Sequence, residues 1–72
     1  MNIIATYENG IDTTKDQAAF EIAKRHDAEF QGSGCWLQKP FLRELEWNVL
    51  AEKGKDMAIA LRLEGFNVKL GD

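Results

Sequence analysis

Apolar and polar residues alternate along this chain with two different periods, and each change of period marks a new element. Over residues 2–8, Ile3, Ala5 and Tyr7 alternate with Ile4, Thr6 and Glu8. A period of two predicts a strand with one face on a core and the other in water. Asn9-Gly10 closes it, because both residues tolerate the left-handed backbone of a tight turn. The period then lengthens. Ala18, Ala19, Ile22, Ala23 and His26 share one face at about 100° per residue, with Phe20 on the flank and Gln17, Glu21, Lys24 and Arg25 facing water. This predicts a helix ending near Asp27. Thr13 and Thr14 are its candidate caps, and Thr14-Lys15-Asp16-Gln17 fits a capping box.

Residues 30–49 return to a period of two, and the rest of the chain is organised around them. Phe41, Leu45, Trp47 and Val49 fall on one side, Glu44, Glu46 and Asn48 on the other. The corner Gln38-Lys39-Pro40 predicts a hairpin, with 32–38 as the preceding strand. Gly32 and Gly34 weaken that strand and invite a bulge, which suits an edge. A second helix is expected over 51–64, docking through Leu50, Gly54, Met57, Ala58 and Leu61. Gly54 is expected to fray its first turns, with Asp56 as an alternative cap, and Gly65 to end it. Phe66, Val68 and Leu70 form a last alternating strand.

The order β-α-β-β-α-β predicts an α+β fold of the ferredoxin-like plan, a four-stranded antiparallel sheet with two helices on one face. The first and third strands should be central and the glycine-bearing second strand at an edge. Ile3, Ala5, Tyr7, Leu45, Trp47, Val49, Leu61 and Val68 should share one core. So many functions use this plan that it implies none of them.

Seventy-two residues make one small domain, 1–72, whose core supplies only a few kcal/mol unless another chain adds to it. A net charge of −3 gives no pull towards nucleic acid or anionic lipid. One cysteine excludes an internal disulfide. No basic-then-apolar leader opens the chain, and the longest apolar run, 57–61, is far short of a membrane span. The expected setting is cytoplasmic, with no membrane and no nucleic-acid partner.

Candidate chemistry is sparse. His26 is the only histidine and Cys35 the only cysteine. A metal site needs more ligands of these types, so neither metal nor cofactor is expected. His26 reads as a helix-end histidine and Cys35 as a small apolar side chain, with a Cys35–His26 nucleophilic dyad as the remote enzymatic alternative. Gly32-Ser33-Gly34 could cradle an anion but matches no phosphate-binding fingerprint. Nucleic-acid or small-ligand binding on the open sheet face is the other alternative. Modules of this topology that bind RNA carry aromatic rings there. The outward positions here are Ile4, Thr6, Glu8, Leu42, Glu44, Glu46 and Asn48.

Ile59 and Leu63 stand opposite the second helix's docking face, beside Arg62 and Lys55, where a surface helix is normally polar. They, Trp36 on the edge strand, and Glu44 and Glu46 on the sheet are the expected partner-binding residues. The residues favour a non-catalytic protein–protein interaction module of regulator or inhibitor type, acting on a protein partner or forming a homodimer.

Overall fold

β1 (Asn2–Tyr7) runs through the middle of the sheet, as its apolar alternation requires. The computed structural model describes residues 1–71. After β1 come α1 (Thr13–Arg25), β2 (Glu29–Cys35), β3 (Arg43–Asn48), α2 (Ala51–Leu63) and β4 (Asn67–Gly71). The strands lie in the order β2-β3-β1-β4 and every pairing is antiparallel. This is the ferredoxin-like fold, with β1 and β3 central and β2 at an edge. Ile3 pairs with Trp47 and Ala5 with Leu45, so the two strands present their apolar sides together.

That side carries the core. Ile3, Ala5, Tyr7, Leu45, Trp47 and Val49 meet Ala19, Ile22 and Ala23 of α1, Met57 and Leu61 of α2, and Phe66. Phe66 precedes β4 rather than belonging to it, and its ring meets Tyr7 edge-on, 5.8 Å between centroids. Val68 is only half-buried and Leu70 is exposed, because β4 is an edge with nothing beyond it.

Both helices end in the same way. The Phe66 N–H reaches the Leu61 carbonyl and that of Gly65 reaches Arg62, with Gly65 at φ 97°. Ala28 and Asp27 repeat this pattern on Ala23 and Lys24, with Asp27 at φ 54°. Each is a Schellman closure that satisfies the last carbonyls.

The helix starts differ from expectation. Asp12, not Thr13 or Thr14, caps α1; its carboxylate accepts from the Thr14 and Lys15 N–H groups. Asp12→Ala should cost about 1 kcal/mol. The measurement is a lower urea midpoint at unchanged slope, with Thr14→Ala as the silent control. Gly54 does not fray α2, and Asp56 is not its cap. The helix is continuous from Ala51, behind Leu50, which makes no side-chain cap and is exposed. Gly54 is buried because the Met1 side chain occupies the space where a Cβ would sit. The glycine admits Met1 to the core margin, and packing outweighs the roughly 1 kcal/mol of helix propensity it forfeits.

The hairpin is also shifted. β2 begins at Glu29, not at 32, because Phe30 packs against Trp47 and Phe20 and so draws the chain into the sheet early. A bulge falls between Phe30 and Gly32. Residues 36–42 then form a longer loop than a Gln-Lys-Pro corner implies. It includes a cis Lys39–Pro40 peptide and Phe41 at φ 56°. Trp36, Phe41 and Leu42 therefore belong to this loop and not to strands.

Candidate functional site

The densest polar grouping lies where α1 starts over the sheet. Asp16 leaves the helix's first turn to meet Arg43, the first residue of β3, at 2.9 Å, with both side chains largely buried. The Tyr7 hydroxyl donates to Asp16 Oδ1 at 2.5 Å and accepts from the Asp12 N–H at 2.9 Å. Arg43 Nη1 also reaches the Gly34 carbonyl at 3.4 Å. Burial resists ionisation of Asp16, but the Arg43 hydrogen bond, the Tyr7 hydroxyl and the Arg43 charge together outweigh it and hold the carboxyl below its ordinary range. Burial, then the bond to Asp16, pushes the Tyr7 phenol up. Asp16 already has partners on both oxygens, so it offers no free base. The grouping acts as a clamp tying α1, β1, β2 and β3 together.

The cysteine–histidine pairing does not form. His26 caps the end of α1, its Nδ1 donating to the Ile22 carbonyl at 2.8 Å. That end of the helix lies near the start of β2, whereas Cys35 ends the strand, about 20 Å further on at the usual rise per residue. Gly32-Ser33-Gly34 lies within extended β2, where successive N–H groups point to opposite sides, so it makes no anion cradle. No group of His, Cys, Asp and Glu able to hold a metal occurs among the described residues.

The central strands of the open sheet face are less acidic than the pattern implied, because β1 stops at Tyr7 and Glu8 falls in the turn. Two carboxylates remain on those strands, and Glu29 of β2 joins the face opposite Asn48. Glu46 lies between Ile4 and Gly32, and Glu44 between Thr6 and Gly34. Neither joins an ion pair among the described residues. No aromatic residue occupies an outward position on the two central strands.

Besides the Phe20–Phe30 ring pair beside Trp47, exposed apolar side chains gather in two places. Ile59 and Leu63, on the outer side of α2, are 49% and 83% exposed. Arg62 leaves this patch, reaching the Val68 carbonyl at 3.4 Å. The second place is the hairpin end, where Trp36 is 62% and Leu37 92% exposed. Ile11 and Phe41 are also exposed, and the Asn9 and Gly10 N–H groups bond to Pro40 and Phe41 to join their loops. No sequence signal announces that junction. Beside it Gly34, Cys35, Trp36, Leu37 and Glu44 line an open cavity of about 360 Å³. Trp36 and Glu44 thus share a site that periodicity alone did not unite.

No protein-family model matches the chain, and no curated protein matches it. Its fold class is nevertheless shared with solved structures. The chain is similar to the ACT domain of the prephenate dehydrogenase TyrA from Bacillus anthracis. The TM-score is 0.64 at 11% identity, over 96% of this chain and 100% of that domain. At such low identity the likeness establishes the fold and nothing finer. No helix among the described residues is long and apolar enough to cross a membrane.

Proposed function

We propose that this protein is a non-catalytic protein-interaction module of regulator or inhibitor type. Its α2 outer face pairs with a second copy, and its hairpin end meets a different protein. The observation that carries this reading is the exposure of Ile59 and Leu63 on the helix side that faces away from the sheet. Burying Leu63 would supply about 1.5–3 kcal/mol and the half-covered Ile59 about half as much, a large share of what holds so small a domain together. A two-fold pairing covers the patch with itself.

Nucleic acid and membrane have no part in this reading. Glu44 and Glu46 repel a polyanion, and no aromatic platform offsets the repulsion. A cytoplasmic setting belongs to the same reading. One observation favours small-ligand binding as a second reading: a cavity of about 480 Å³ between Thr6, Leu42, Phe66 and the cationic Arg62 and Lys69, fit for a small anion.

Sedimentation equilibrium tests the proposal. A dimer should form at micromolar or higher concentration and be weakened by Ile59→Lys or Leu63→Lys, with the circular dichroism spectrum unchanged. A wild-type monomer at millimolar concentration would remove the self-association.

A further inference from the structure

Beyond naming a different protein as the partner at the hairpin end, the geometry of β2 specifies its chemistry. We infer that the free edge of β2 and the cavity at its end receive an extended basic peptide, with lysine or arginine at every second position. The inference rests on the interaction-module reading above and refines one of its surfaces.

β2 pairs only with β3, so half of its backbone N–H and C=O groups face outwards with no strand to receive them. Such an edge is a template for an added strand. β4, the other edge, is shorter and carries Lys69. Past the bulge, β2 carries neither a charged residue nor a proline, so nothing repels an incoming strand.

The glycines decide what that strand should carry. Gly34 lies opposite Glu44 and Gly32 opposite Glu46, and a Cβ at either glycine would meet nothing within 4 Å. Neighbouring strands stand about 4.8 Å apart, so a peptide residue paired with Gly34 sits about 10 Å from the Glu44 backbone. A lysine and a glutamate side chain close that span when nothing projects between them, and glycine projects nothing. The arrangement recurs two residues along, at Gly32 and Glu46. Two uncompensated carboxylates thus meet two cations at the natural period of a strand. At the Gly34 position the cavity adds the Trp36 ring, over which a cation and its aliphatic stem gain further attraction.

The test is an amide chemical-shift titration of the full chain with the synthetic pentapeptide Thr-Lys-Val-Lys-Thr. Shifts should appear at 32–37, 44 and 46. The peptide Thr-Glu-Val-Glu-Thr should give none. Nor should Thr-Lys-Pro-Lys-Thr, which keeps the charge but cannot pair as a strand. Gly34→Val should leave the fold intact, since its Cβ meets open space, yet weaken binding by about tenfold or more by filling the gap. Glu44→Gln should weaken it comparably. Equal binding of the three peptides, shifts confined elsewhere, no shifts at millimolar peptide, or an unaffected Gly34→Val would each overturn the inference. Failure here with α2 self-association intact overturns this site alone, whereas failure of both overturns the reading beneath it.

Discussion

Replacing Trp47 by alanine should cost about 3–5 kcal/mol, enough to leave much of the protein unfolded at room temperature. Trp47 is the largest of the fully buried side chains. It pairs with Ile3 across β1 and with Phe30 across β2, so its ring spans the width where the central strands meet the edge. Phe20 and Phe30 both approach it edge-on, at 5.5 and 5.9 Å between centroids. Truncation removes the transfer free energy of the indole and leaves a cavity beneath two rings that are themselves half in water. Those rings can sag only by giving up contact with each other. Thermal unfolding followed by near-ultraviolet circular dichroism checks this. A cooperative transition at nearly the wild-type temperature would show that Trp47 is not central to the core.

The second large effect is expected at the clamp. Arg43→Met should lower stability by about 2–3 kcal/mol, because it leaves the largely buried Asp16 carboxylate with only the Tyr7 hydroxyl. Asp16→Asn leaves Arg43 without its counter-charge but keeps an amide oxygen to accept from it, and should cost less. The pH dependence has a definite sign. Unfolded aspartate titrates near 3.9, and Asp16 in the fold lies below its ordinary value. As pH falls, the unfolded chain takes up this proton first. The contribution of Asp16 is therefore complete above about pH 4 and is lost as pH drops through the folded value. Asp27, lowered by its hydrogen bond to Lys53 and by that cation's charge, adds to the same limb, though solvent screens this exposed pair. At the alkaline end the raised Tyr7 phenol keeps its proton after the unfolded tyrosine has begun to lose its own, so stability declines above about pH 10. Urea titrations across pH should show a flattened acid limb in Asp16→Asn. An unchanged limb would mean that Asp16 is not held by Arg43 in solution.

The strand and helix periods were legible in the sequence because each reports one apolar face. Ile3, Ala5 and Tyr7 against Leu45 and Trp47 was enough to place β1 beside β3, and the glycines were enough to send β2 to an edge. Loop geometry was not legible. Phe41 continues the alternation of β3 on paper, but its left-handed backbone takes it out of the strand. Trp36 moved for a related reason: Phe30 fixes where β2 begins, and a contact with Trp47 seventeen residues away leaves no local trace. Asp12 displaced the threonine caps because its carboxylate accepts two N–H groups at once. The clamp was hidden as well, since Asp16 and Arg43 look like ordinary surface charges until the fold brings them together. The apolar outer face at Ile59 and Leu63 was legible because a break in a helix's polar face is a one-dimensional signal. The Trp36–Glu44 cavity was missed because it joins a loop to the outward side of a strand.

The position of β1 has a consequence for the timing of folding. The first strand of the chain lies at the centre of the sheet, yet both of its partners come much later, β3 after the midpoint and β4 last. Such non-local pairing puts folding on a slower scale than that of a helical bundle. During synthesis at about 5–20 residues per second, β1 must wait on the order of seconds for its last neighbour. Throughout that interval Ile3 and Ala5, which end with no exposed surface, have at least one bare edge beside them. The strand best protected in the finished protein is thus the one left open longest on the ribosome.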